Sequence, residues 1–357
     1  MSFNEKLLLW FQDYRRTFPW RENNQPYNVW LSEIILQQTR AAQGLPYYQK
    51  FITTFPDVHS LAKAEEEQVL RLWQGLGYYS RARNLHATAR EIVSKYKGQF
   101  PENFDEIKKL RGIGDYTASA IASICYGQQQ AVVDGNVYRV LSRIFGMDTP
   151  IDATGAHKIF KSKSTELMSG APSGDYNQAL MEFGALQCTP KQPDCKNCIF
   201  NKNCVAYQQN LVNSLPVKTK KIKVKKRFLN YIILIDGDGK TVLEKRTQND
   251  IWKNLYQFPL IEQSNHLQKI NGNSLDSLLI RYGIERDYFL EKWNNQPIIH
   301  KLTHQHLEIN FWILKTQKIG LLSLNWASID QYPMPKALQN FKENFLLTDC
   351  DSLHLKY

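Results

Sequence analysis

Two carboxylates and one glycine turn are the residues of this chain whose type and spacing could do chemistry. In Leu110-Arg111-Gly112-Ile113-Gly114-Asp115-Tyr116-Thr117, two glycines flank one apolar residue directly before an expected helix. Glycine lets a ligand approach the main chain closely. A helix N-terminus adds unpaired N–H groups and the positive end of the dipole, which suits a phosphate. The same residues also fit a plain helix–helix turn with Ile113 buried between its flanks. About twenty residues on, Asp134 closes the apolar run Val132-Val133 and opens another helix, where capping is an ordinary duty of Asp. Upstream, Glu33 lies in a helix expected over about 27–38 and is surrounded by Val29, Trp30, Ile34 and Leu36. A helix apolar nearly all round is buried or faces a pocket. Desolvation there raises a carboxyl pKa and makes a general acid near neutral pH. An interfacial Glu paired with an Arg fits the same residues.

These groups need elements to position them. Hydrophobic periodicity predicts helices near 3–15, 27–38, 42–54, 65–73, 79–96, 103–109, 135–146, 154–167 and 172–186, an all-α region. Between two of them, residues 75–84 read Gly-Leu-Gly-Tyr-Tyr-Ser-Arg-Ala-Arg-Asn. Glycines, adjacent tyrosines and two arginines suit a wedge inserted into a base stack with phosphate contacts beside it. A helix start with core aromatics would read the same way. Four cysteines close the region, Cys188, Cys195, Cys198 and Cys204, spaced C-x6-C-x2-C-x5-C. Four thiolates this close indicate a metal or cluster site. Zinc also accepts four cysteines but usually takes them as two short knuckles, and the ferredoxin spacings do not match either. Cys125 and Cys350 read as inert thiols.

The chain's 357 residues exceed one average domain, and 43% hydrophobic with 12% aromatic residues is enough for packed cores. The net charge of +11 suits a polyanionic partner, yet residues 217–227 alone hold seven basic residues and no acid. Part of the charge is therefore an expected linker, able to touch DNA backbone non-specifically. The N-terminal apolar run is too short for a signal peptide, and no run approaches transmembrane length. A soluble, cytoplasmic protein, with no membrane partner and without disulfides, is expected.

Beyond the linker the pattern changes to strands near 228–235, 241–246, 297–300 and 307–314, with helices near 273–282 and 335–343. An α+β domain follows. The expected organisation is 1–212 as the all-α domain with the cysteine loop, 213–227 as basic linker, and 228–357 as the α+β domain.

Taken together, these motifs resemble the adenine DNA glycosylases of the MutY family, helix-hairpin-helix enzymes. The resemblance runs along nearly the whole chain. Its most specific parts are Trp30-Leu31-Ser32-Glu33-Ile34-Ile35-Leu36-Gln37-Gln38-Thr39, residues 75–84, Val133-Asp134-Gly135-Asn136-Val137 and the four-cysteine ending. The resemblance implies a helix-hairpin-helix glycosylase domain followed by a Nudix-like recognition domain, the latter including residues 251–259. After Pro259 no helix with clustered glutamates follows, so no pyrophosphatase activity is expected. The cysteine spacing is similar to the family's ligand set for a [4Fe–4S] cluster.

The activity implied is hydrolysis of the N-glycosidic bond of adenine opposite 8-oxoguanine or guanine in double-stranded DNA, by a monomer, with the base flipped out of the stack. In that reading Glu33 protonates the adenine ring nitrogen. Asp134 stabilises an oxocarbenium-like sugar, and Tyr116 and Asn136 support it. Arg21 and Gln178 contact the flipped base, although many family members carry Glu where Gln178 stands. Gly112 and Gly114 hold backbone phosphate. Gln38, Thr39, Leu76 and Tyr78 fill and wedge the duplex. Strand-cleaving relatives of the endonuclease III type place a nucleophilic lysine where this chain has Tyr116, so a Schiff base is not expected. The family's lesion-sensing loop, usually Phe-Ser-His, corresponds here to Leu302-Thr303-His304. Thr303 keeps a hydroxyl that can donate and accept, and Leu302 keeps an apolar wedge.

Overall fold

The structure, a computed structural model, describes residues 1–219, 223–264, 270, 272–285, 287–320 and 323–348. Lys220, Lys221 and Ile222 of the expected linker lie outside the described residues, as does Cys350. The chain divides into two compact units, one of Met1–Ala64 with Asn84–Lys220, the other of Glu65–Arg83 with Lys221–Tyr357.

The first unit is helical. Its elements are α1 (Phe3–Tyr14), α2 (Pro26–Leu36), α3 (Ala41–Thr54) and α4 (Val58–Lys63), then most of α6 (Ser80–Tyr96). They continue with α7 (Phe104–Lys109), α8 (Asp115–Tyr126), α9 (Gly135–Phe145), α10 (Ala156–Met168), α11 (Ser173–Leu186) and α12 (Val205–Gln208). Ser2 and Glu5 form a capping box that starts α1, and Pro26 starts α2 where its missing N–H costs nothing. A core of Leu7, Trp10, Val137, Leu141, Phe160, Tyr176, Leu180 and Phe183 packs α1, α9, α10 and α11 together. Gly112 has φ +73, and a Cβ there would stand 2.6 Å from Asn84 Cβ, so this turn position requires glycine. Gly114 caps α8 in extended backbone, and a Cβ there would meet nothing within 4 Å. Ile113 between them is buried, as its place in the turn predicts.

The second unit is built on a five-stranded sheet. Its strands are β1 (Lys225–Ile235), β5 (Leu260–Gln263), β6 (Tyr288–Lys292), β7 (Ile298–Lys301) and β8 (Gln305–Thr316). Short pairs β2 (Lys240–Thr241) with β9 (Leu324–Asn325) and β3 (Glu244–Lys245) with β4 (Tyr256–Gln257) stand apart. β1 and β8 run parallel, with Leu229 opposite Ile309 and Ile233 opposite Ile313, while the other pairs in the sheet are antiparallel. Side chains alternate strictly between faces. Leu229, Tyr231, Ile233, Ile309 and Phe311 pack with Leu338, Phe341 and Phe345 of α14 (Lys336–Thr348). Ile232, Leu234, Trp312 and Leu314 pack with Leu275, Leu278 and Leu279 of α13 (Gly272–Arg281). Covered on both faces, β1 needs the continuous apolar run Tyr231-Ile-Ile-Leu-Ile rather than alternation.

The sequence places residues 65–83 with the helices, and the structure packs them in this second unit. In α5 (Glu66–Leu72), Glu66 accepts from Asn254 Nδ2, and Glu67 accepts from Lys245 Nζ at 2.8 Å and Tyr256 Oη at 2.7 Å. Arg83 donates to the Lys253 carbonyl at 2.8 Å. The start of β1 takes in Lys225, Lys226 and Arg227 from the expected linker. Arg227 is buried, its guanidinium held by Asp250 and Glu262.

Candidate active site

A cavity of about 770 Å³ opens in the helical unit and is lined by Glu33, Tyr116, Asp134, Asn136, Arg21, Gln178, Gln38 and Thr39 among others. Eight residues singled out in the sequence thus meet at one place. They arrive from α2, α8, α9 and α11, from the turn after α2 and from the Pro19–Arg21 3₁₀ turn. Four arginines line the cavity, and among its described lining residues there is no lysine.

Asp134 caps α9. Its Oδ1 accepts from Val137 N at 2.8 Å and its Oδ2 from Asn136 Nδ2 at 2.8 Å. The capping duty and a place on the cavity wall coexist in one side chain. Burial raises the carboxyl's pKa against these bonds, which favour the charged form. Glu33 is pushed up to about 7, chiefly by desolvation, with the Asp134 charge adding to it and Tyr116 and Arg21 opposing. Of the two carboxylates, Asp134 has the backbone donor and the amide, so Glu33 is the one that holds a proton near neutrality. Tyr116 is held well above its usual range by burial and by both carboxylates, so its hydroxyl stays a donor. Its single proton faces a carboxyl oxygen of Glu33 and the Met181 sulfur at 3.5 Å, and the oxygen is the stronger acceptor.

Residues the sequence did not single out hold this arrangement. Arg139 donates through Nη2 to Asn136 Oδ1 at 2.9 Å and to the Gly184 carbonyl at 2.6 Å, and through Nε to the Cys188 carbonyl at 2.7 Å. It therefore ties the start of the cysteine loop to the amide that holds Asp134. Gly184 is where α11 meets Asn136, since a Cβ there would stand 2.6 Å from Asn136 Cβ. Their only sequence signal is membership of otherwise ordinary helices.

Cys188, Cys195, Cys198 and Cys204 line a second, small cavity together with Arg143. Cys188 Sγ accepts from Arg143 Nη1 at 3.5 Å, and Cys198 Sγ from Phe200 N at 3.4 Å. Arg143 also donates to the Thr189 carbonyl at 2.7 Å. The donor set, four thiols lining one small cavity with N–H groups directed at two of their sulfurs, fits a group held by four thiolates.

The remaining predicted residues belong to the other unit. Tyr78 stands at φ +47 and is 47% exposed, while Leu76 is only 7% exposed. The loop therefore presents Tyr78 and keeps Leu76 beneath it. Leu302, Thr303 and His304 form the turn between β7 and β8, closed by Leu302 N donating to the Gln305 carbonyl at 2.7 Å. Leu302 packs on the core below, and Thr303 and His304 are exposed. The Tyr78 and Thr303 hydroxyls are hydrogen-bonded to each other. No helix among the described residues is long and apolar enough to cross a membrane.

Residues 31–164 match the HhH-GPD superfamily of base excision DNA repair proteins, and residues 230–344 match the NUDIX domain. An adenine DNA glycosylase of Buchnera aphidicola subsp. Acyrthosiphon pisum is 33% identical over 356 residues, covering 96% of this chain and 98% of that protein. The adenine DNA glycosylase of Mus musculus is 41% identical over 219 residues, 58% of this chain and 42% of that one. Among solved structures, a thermostable thymine-DNA glycosylase aligns with a TM-score of 0.54 at 31% identity, covering 58% of this chain and 95% of its own. An endonuclease III–DNA complex shares the fold, with a TM-score of 0.51 at 19% identity, covering 58% of this chain and 94% of its own. With a relative matched along almost the full length of both chains, and with both domains in order, this chain belongs to the adenine DNA glycosylases, base-excision repair enzymes of the HhH-GPD superfamily.

Proposed function

We propose that this glycosylase is monofunctional and removes adenine from double-stranded DNA where it stands opposite 8-oxoguanine or guanine. The observation that carries the reading is the meeting of Glu33, Tyr116, Asp134 and Asn136 in one cavity without a lysine among its described lining residues. Glu33, protonated near neutrality, gives its proton to a ring nitrogen of the flipped adenine, so the base leaves neutral. Positive charge then develops on the sugar, and the Asp134 carboxylate, held by Val137 N–H and Asn136, faces it until a water adds to the anomeric carbon and gives its proton to the ionised Glu33, leaving an abasic site. Arg21 and Gln178 line the same cavity and contact the base. Gly112 and Gly114 present main-chain N–H groups to phosphate, the open space beside Gly114 leaving room for it. Gln38 and Thr39 at the cavity mouth and Tyr78, backed by Leu76, fill and part the duplex, and Thr303 and His304 read the opposite base beside Leu302.

The reading includes a [4Fe–4S] cluster on Cys188, Cys195, Cys198 and Cys204, which supplies a covalent cross-link of the loop those residues span. Arg139, bonded to both the Cys188 carbonyl and Asn136 Oδ1, carries that loop's position to Asn136, while Arg143 holds the loop itself at Cys188 and Thr189. Anaerobically purified protein is expected to be brown with about four irons per chain. A colourless, active protein with one zinc per chain would overturn this assignment.

The function is tested by incubating the protein with duplexes carrying adenine opposite 8-oxoguanine or guanine, then analysing strands with and without hot alkali. Breaks only after alkali are expected; breaks without it would mean a lyase, and none in either a non-catalytic binder. In the same assay Thr303→Ala with His304→Ala should lower the preference for 8-oxoguanine over guanine several-fold to about tenfold, one lost hydrogen bond being worth on the order of 1 kcal/mol. An unchanged ratio would place recognition with Gln38 and Tyr78 instead.

A further inference from the structure

One charged group at the cavity takes no part in the proton transfer or in stabilising the sugar. Glu182, on α11, is 2% exposed. Its Oε1 accepts from Arg16 N at 3.0 Å and Arg16 Nε at 2.8 Å, and its Oε2 from Arg16 Nη2 at 2.8 Å and Arg21 Nη2 at 3.1 Å. Arg21 Nη1 in turn donates to the Arg16 carbonyl at 3.0 Å. The segment from Arg15 to Phe18 is neither helix nor strand, so this carboxylate is what gathers it. Phe18 lies 5.1 Å from the Arg16 guanidinium and 5.2 Å from that of Arg21. Arg16, Phe18, Arg21 and Glu182 all line the cavity that holds Glu33.

We propose that Glu182 is a positioning residue for base excision, which aims Arg21 into the cavity and offsets the charge of the two guanidiniums as felt at Glu33. The proposal rests on the functional reading above. Burial alone would raise the Glu182 carboxyl, but the bonds from Arg16 and Arg21 outweigh it and hold it down at about 2, so it stays charged wherever the enzyme works. Glu33 also faces Tyr116 and Cys125 on α8, and Asp134 at the start of α9. Arg139 on α9 and Arg40 beyond α2 complete the charged wall. Tyr116 and Cys125 stay neutral, both raised by burial. Removing the Glu182 charge leaves Arg21 uncompensated, which favours the ionised form of Glu33 and empties the acid form at lower pH. Removing Arg16 does the opposite, because Glu182 then has only one guanidinium to offset.

The test is single-turnover excision of adenine opposite guanine from pH 5.5 to 9 by the full chain and by Glu182→Gln, Glu182→Asp and Arg16→Met. In Glu182→Gln the alkaline limb should move down, on the order of one pH unit for the loss of a unit charge on the wall of the same cavity. Arg16→Met should move it up, and Glu182→Asp should restore the wild-type position even if the rate is lower. A purely structural role lowers the rate equally at every pH and cannot shift two limbs in opposite directions. An unmoved limb in Glu182→Gln overturns the proposal; should that variant not fold, an unmoved limb in Arg16→Met does so. If the wild-type chain excises nothing, the functional reading itself has failed, and the two failures are thereby told apart.

Discussion

Glu33→Gln and Asp134→Asn are each expected to abolish adenine excision, by at least about a thousandfold, while duplex affinity stays within a few-fold of wild type. A positioned general acid is worth about 10²–10⁴ in rate, and the loss of a carboxylate facing a developing cation is of similar size or larger. In the proposed reaction both groups act where charge changes in the transition state, so their removal should lower rate rather than ground-state binding. The two variants should differ in detail. The Asp134→Asn variant keeps a side-chain oxygen for the Val137 N–H and so preserves the cap of α9. The Glu33→Gln variant relieves the burial of an ionisable group and should not lower thermal stability. In the wild-type enzyme the active form is protonated at Glu33, so excision should fall as pH rises through about 7. Single-turnover kinetics and duplex titration check all of this. Near-native excision by either variant would falsify the assignment.

Arg139→Met is expected to lower excision on the order of a hundredfold although Arg139 is assigned no contact with the substrate. The guanidinium joins Asn136 Oδ1, the Gly184 carbonyl and the Cys188 carbonyl. Methionine fills similar space but leaves three acceptors in a buried place, a loss on the order of 2 kcal/mol or more. The larger effect is on geometry. Asn136 loses its anchor and with it Asp134 loses a fixed donor at Oδ2, and misplacement of a reacting group by about 1 Å costs about 10² in rate. Single-turnover excision, with thermal unfolding and iron content measured on the same sample, separates this from unfolding. A folded, iron-replete variant with native excision would show that Asn136 does not depend on Arg139.

The division between what sequence and tertiary structure each decide follows contact distance along the chain. The glycine turn before α8, the Asp134 cap and the four-cysteine run are local, since each needs only residues within about seventeen positions of one another. Helices α1, α2, α6 and α9–α11 follow from periodicity and are read from sequence to within a few residues. Short α4, and strands β5 and β6, carry too few residues to leave a pattern, and the two strands form because β1 and β8 give them edges to pair with. The two candidate carboxylates are legible, but the protonation of Glu33 is not, because it depends on the walls that α8 and α9 bring around it. Glu182 reads as one more helix acid until Arg16 and Arg21, more than 160 residues earlier, are folded onto it. Arg227 reads as the end of a basic linker until Asp250 and Glu262 close on its guanidinium. Residues 65–83 read as part of the helical region because they are contiguous with it, yet their bonds go to Lys245, Asn254, Tyr256 and Thr303. Sequence by itself determined which groups are candidates for the chemistry; the long-range charge pairing and desolvation that set their protonation and aim exist only once the chain has folded.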